Sequence, residues 1–177
     1  MERRSVLIAS LVALAIVLAT DILYVGLIEA QGPDPQANVP RFVASYLAVM
    51  AALIGIALVP RPEVAVIRFP MRAAAAAGLL SLGFIAAFSI GLPLVVAGGL
   101  TTVALARTSR QLSSRLGRLA GLAAALLAVA LLIAGFEITG RWIVCPATGT
   151  ASGTGSGFVT GGYSYECMNG ELRIRSG

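Results

Sequence analysis

Two cysteines and one aspartate are the residues of this chain with chemistry to account for. Cys145 and Cys167 are the only cysteines, and both lie in polar sequence near the C-terminal end. Two thiols at this spacing in an oxidising compartment join as a structural disulfide. A bridge closing a loop of this size contributes roughly 3 kcal/mol in the chain-entropy treatment. The other reading, a redox-active pair, is weaker because catalytic dithiols usually occur as C-x-x-C with a lowered thiol pKa. Asp21 lies inside an apolar run over 5–30. A carboxylate at membrane depth costs a few kilocalories per mole, so it is a candidate intramembrane polar site. It either reaches the headgroup region, pairs with a neighbouring or partner helix, or carries protons or ions.

The other acids in or near apolar runs read more simply. Glu29 and Glu137 fall near the ends of apolar runs and read as interfacial, and Glu137 has Arg141 four residues on, a helical pairing distance. Gly149–Gly157 is glycine-rich but has neither a phosphate-binding lysine nor a following helix, so it is a poor phosphate loop. The chain has no histidine and no lysine. That removes the usual general base and the commonest metal ligand. H-E-x-x-H, Walker and C-x-x-C motifs are missing from the sequence. The sequence therefore assigns no catalytic, cofactor-binding or metal-binding residue, and the chain is read as a non-enzyme without a cofactor.

These residues must be positioned by apolar helices. Of 177 residues 58% are apolar and only 12% charged, with a mean hydropathy of +0.90. Soluble domains run at roughly 45–50% apolar and about 25% charged. The composition points to an all-α polytopic integral membrane protein, with the lipid bilayer as its first partner. The net charge of +5 does not signal nucleic acid, because nine of the thirteen arginines sit in short segments flanking apolar runs.

Five spans are read over about 5–30, 41–59, 71–90, 93–110 and 116–137. The polar connector before the second holds Pro33, Pro35 and Pro40. The segment before the third holds Arg61, Arg68 and Arg72 against Glu63, with an apolar piece, Val64–Ile67, at the interface. The uncharged run after Arg72 is the ambiguous part. A turn at Gly91-Leu92-Pro93 splits it into two helices, whereas a single long helix over 71–106 would give four spans. Arginine placement favours five. With the N-terminus inside, Arg3, Arg4, Arg61, Arg68, Arg72, Arg107, Arg110, Arg115 and Arg118 share the cytoplasmic side, against four arginines outside. This places the chain in the cell membrane with a cytoplasmic N-terminus and an extracytoplasmic C-terminus, where the cysteines meet oxidising conditions.

The chain thus divides into a transmembrane domain, 1–139, and an extracytoplasmic tail, 140–177. In the tail, Asn169-Gly170 is a hairpin turn that tolerates positive φ at both positions. It pairs Cys167 with Leu172, Glu166 with Arg173 and Tyr165 with Ile174. Arg141–Cys145 is a candidate third strand, and Pro146–Gly162 reads as a flexible loop. Gly117 and Gly121 have the small-xxx-small spacing of close helix packing. Trp142, Tyr24 and Tyr46 suit an interfacial aromatic belt. The functional expectation is a small accessory or scaffold subunit of a cell-envelope assembly, with a partner membrane protein or a second copy as its contact. The alternatives are a small oligomeric transporter or channel using Asp21, and a membrane thiol oxidoreductase using Cys145 and Cys167.

Overall fold

The computed structural model describes residues 2–31, 38–60, 67–109 and 115–176. They form five helices and a small sheet: α1 (Glu2–Gln31), α2 (Asn38–Leu58), α3 (Arg68–Ile85), α4 (Gly91–Ser109), α5 (Arg115–Arg141), β1 (Thr150–Gly157), β2 (Gly161–Met168) and β3 (Glu171–Ser176). Helices α1, α2, α4 and α5 are long and apolar enough to cross a bilayer. Helix α3 is different. It carries Arg68 and Arg72 in its first turns and a run of alanines, and it buries most of its length, from Phe69 to Gly83. The readings on Pro33 and Pro35, on Arg61, Glu63 and Val64–Val66, and on Arg110–Ser114 lie outside the described residues.

Helices α2 and α3 bury large side chains, among them Leu47, Ile54, Leu79 and Leu82, whereas α1 and α4 are apolar outward and bury a narrow stripe of mainly small or hydroxyl-bearing residues. Helix α1 buries Ser10, Ala13, Val17 and Thr20 and exposes Leu7, Ile8, Leu11, Leu18, Ile22 and Leu23. Helix α4 buries Leu94, Ala97, Thr101 and Ala104 and exposes Leu92, Val95, Val96 and Val103. Each buried set recurs every three or four residues, one stripe of an α-helix. Two of these hydroxyls are satisfied within their own helices: Thr20 and Thr101 donate to the carbonyls of Ile16 and Ala97, each at 2.8 Å.

The chain falls into two compact units: Met1–Tyr24 with Tyr46–Leu132, and Val25–Ser45 with Ile133–Gly177. In the first, α3 and α4 make the most extensive backbone approach between helices. Glycine permits it: a Cβ on Gly98 would lie 2.8 Å from Leu80 Cγ, and one on Gly83 would lie 2.9 Å from Val95 Cγ2. The α3–α4 turn is not at Gly91–Pro93, as the sequence suggested, but at Ala86–Ile90. Gly91 N–H donates to Ala86 C=O at 2.8 Å, and a side chain there would collide with the carbonyls of Gly83 and Ala86. Pro93 sits in the first turn of α4, where its missing N–H has no helical acceptor to lose. Pro40 does the same in α2, which starts at Asn38 rather than 41. A single helix over 71–106 does not form.

Aromatic rings fill glycine and alanine notches on α5. Phe69 packs on Gly121, and buried Tyr46 donates its hydroxyl to Ala128 C=O at 3.0 Å. In the second unit, Phe42 packs on Gly135 and edge-on against Phe136, with ring centroids 5.6 Å apart.

The sheet is antiparallel, in the order β1-β2-β3. The β2–β3 register is the one expected: Met168 opposite Glu171, Cys167 opposite Leu172, Glu166 opposite Arg173 and Tyr165 opposite Ile174. Asn169 (φ 48°) and Gly170 (φ 86°) make the turn. The third strand corrects the sequence reading. Arg141–Cys145 forms no strand; instead β1 comes from the stretch taken for a loop. In Thr150-Ala-Ser-Gly-Thr-Gly-Ser-Gly157 the hydroxyls alternate with Ala and Gly. The small residues lie opposite large ones, Ala151 by Cys167, Gly153 by Tyr165 and Gly155 by Tyr163. The Tyr165 and Tyr163 rings lie over the backbone of Gly153 and Gly155, so the glycines make room for the side chains that cover them.

Candidate functional site

Cys145 and Cys167 are joined, with Cα atoms 5.4 Å apart. The bridge closes the small core of the second unit, where Ile143, Tyr163, Tyr165 and Cys167 are buried and Cys145 and Ala151 pack against them. On the edge strand β3, Leu172 and Ile174 stay 39% and 46% exposed, so the apolar face is fully buried only on β2.

The sheet is fastened to the end of α5. Tyr163 donates its hydroxyl to Gly140 C=O; just past the helix, Trp142 C=O accepts from Asn38 Nδ2 at the start of α2, at 2.9 Å. Glu137 does not pair with Arg141. Its carboxylate accepts the Thr160 hydroxyl and the Val159 N–H at 3.3 Å, holding the β1–β2 turn. Phe158 in that turn meets Phe136 edge-on, centroids 6.3 Å apart. Asn169 also ties the hairpin turn to the start of β1: its N–H donates to Gly149 C=O at 3.0 Å, and its Oδ1 accepts from Gly149 N–H at 3.2 Å. A short sheet of this kind is marginal alone. The covalent bridge and these ties hold it in one conformation.

The other face of the sheet is polar and open. Ser152, Glu166 and Arg173 lie across the three strands in register, and Thr154, Ser164 and Arg175 form the next row. Together with Gly153 and Tyr165 they line a shallow cleft of about 260 Å³. Two guanidiniums, one carboxylate and three hydroxyls converge there. Such a set recognises a polar or anionic group through charge-assisted and bidentate hydrogen bonds. Among the described residues no ion pair neutralises Arg173 or Arg175. The cleft is not legible in the sequence, because β1, rich in Gly, Ser and Thr, has the composition of a loop. The signal is the alternation of hydroxyl residues with Ala151 and glycines over 150–157.

Asp21 is half-buried on α1, and its Oδ1 is buried without a hydrogen-bond partner, as is Oγ of Ser10. The described acids and cysteines form no group of three or more able to hold a metal. Gly117 is half-buried on α5, four residues before Gly121. Comparison with protein families, curated proteins and solved structures gave no match to this chain.

Proposed function

We propose that the chain is an integral membrane scaffold or accessory subunit of a cell-envelope assembly, without chemistry of its own. Its extracytoplasmic sheet is the docking element. The outward faces of the helices support membrane insertion: Leu11, Ile22 and Leu23 on α1 and Leu119, Leu122 and Leu126 on α5 are exposed, as in helices whose solvent is lipid. The arginine asymmetry supports a cytoplasmic N-terminus and the sheet on the opposite side. On this reading α3 crosses as the fifth, most enclosed span.

The observation that carries the docking role is the sheet itself. It is bridged by a disulfide, fixed to α5 through Glu137 and Tyr163, and open on a cleft that holds Arg173, Arg175 and Glu166. A preorganised polar face loses little entropy on binding. The test is site-specific photocrosslinking in native membranes. A photoreactive residue at Thr154 or Arg175 should give one discrete adduct, and the same residue at Leu131 on α5 should not. No adduct from the sheet, with a monodisperse protein always alone in mild detergent, contradicts the reading.

A second reading has Asp21 in a transport pathway, favoured by its unmet buried oxygen. Asp21→Asn would then abolish flux in reconstituted vesicles while leaving the fold intact. Unchanged flux, or none from the wild type, removes it. Redox cycling of Cys145 and Cys167 has less support, since Cys167 is 1% exposed and reactive cysteines sit in accessible sites.

A further inference from the structure

Helix α3 opens with two arginines one turn apart, Arg68 and Arg72, and the described residues offer them few acceptors. Arg72 is only 6% exposed. Its Nη1 donates to Thr108 Oγ1 at 2.7 Å, and that hydroxyl is itself oriented by donating to Ala104 C=O at 2.8 Å. Arg68 Nη2 donates to Val59 C=O at 2.8 Å. Nε of each guanidinium is buried without a partner. Each guanidinium has five N–H donors in a rigid fork, and among the described residues no carboxylate pairs with either.

Like charges at this helical spacing repel, and a buried charge without a counter-charge is strongly unfavourable. The surroundings add to the effect. Helix α3 begins without a side-chain cap at Ile67, which leaves first-turn N–H groups and the positive end of its dipole in the same place. Each guanidinium is held at one nitrogen, by Val59 or Thr108, and its Nε–H, unmet among the described residues, is left as a donor for an oxyanion.

We infer that Arg68 and Arg72 form a phosphate-binding site between the start of α3, the end of α2 and the end of α4. The phosphate is that of an anionic phospholipid or free inorganic phosphate. It accepts from both guanidiniums, which suits the planar fork of arginine. The site uses none of the residues of the sheet cleft and stands or falls independently of the docking role.

The full chain in neutral maltoside detergent is titrated with phosphatidylglycerol, with diacylglycerol as the phosphate-free control, and with inorganic phosphate. Native mass spectrometry and thermal unfolding are the readouts. Phosphatidylglycerol should bind and raise the melting temperature, and diacylglycerol should not. A comparable rise with millimolar inorganic phosphate identifies the free ion as sufficient, and a rise with the lipid alone identifies the lipid. Arg68→Gln should weaken binding at least tenfold, whereas Arg107→Gln, an exposed arginine late in α4, should change it less than twofold. Thr108→Val gives a second variant, should Arg72→Gln fail to fold, and should also weaken binding. No binding of either phosphate compound, or equal losses for Arg68→Gln and Arg107→Gln, overturns the site.

Discussion

Removing the disulfide should loosen the sheet by an amount the structure allows us to work out. The bridge spans a sequence separation of 22 residues. A loop of that length corresponds to about 3 kcal/mol of lost unfolded-state entropy, or about a hundredfold in the open fraction, at roughly 1.4 kcal/mol per factor of ten. The apolar core around the bridge is small, Ile143, Tyr163, Tyr165 and Cys167 with Cys145 and Ala151 packed on it, and the ties through Glu137, Tyr163 and Asn169 are the same with and without the bridge. Replacing both cysteines with alanine, or reducing the native protein, should therefore speed amide exchange in β2 about a hundredfold. Exchange in α3 and α4, which belong to the other compact unit, should stay within about threefold, since separate sites usually behave additively. Hydrogen exchange read by mass spectrometry, on protein held in detergent with and without reductant, makes the comparison. Unchanged exchange in β2 would refute the argument that the bridge holds the sheet, and equal acceleration in α3 would refute the local character of the effect.

Other substitutions probe the packing. Gly153→Val should destabilise the sheet by about 1–3 kcal/mol through overpacking against Tyr165, whereas Gly162→Ala, with no atom near its added Cβ, should be neutral; thermal unfolding followed by near-UV circular dichroism tests both. Gly98→Val should lower the melting temperature of the helical unit and Gly99→Val should not, because Leu80 lies against the first and nothing lies within 4 Å of the second. Tyr46→Phe should cost about 1 kcal/mol for the lost hydrogen bond to Ala128 C=O, and Ser45→Ala, at an exposed position, should leave the melting temperature unchanged.

The parts of this molecule legible in the sequence were those set by periodic patterns and one turn. Asn169-Gly170 and the alternating residues around it specified the β2–β3 register because a one-residue slip would turn Tyr163, Tyr165 and Cys167 to the wrong face. Cys145 and Cys167 were paired by elimination, as the only two thiols. Strand β1 was hidden because its inward residues are glycines, which carry no apolar signal. They face inward to fit tyrosine rings that belong to another strand. The α3–α4 turn was misplaced for a related reason. Gly91-Leu-Pro93 has the composition of a turn but serves as a helix start, while the turn at Ala86–Ile90 is made of residues that look helical and is closed by the Ser89 and Gly91 N–H groups donating to Ala86 C=O. Glu137 reads as interfacial with Arg141 at helical spacing, but its carboxylate accepts instead from Val159 and Thr160, in a turn more than twenty residues away. The buried state of Arg72 could not be read locally, because it depends on Thr108 from another helix.

Sidedness is the claim on which the account turns. With the native disulfide leaving no free thiol among the described residues, single cysteines can be placed at Arg175, on the sheet, and at Arg115, at the start of α5. A membrane-impermeant maleimide applied to intact cells should label Arg175→Cys at once and Arg115→Cys only after permeabilisation. Labelling in the opposite order, or of both positions from the same side, would contradict it.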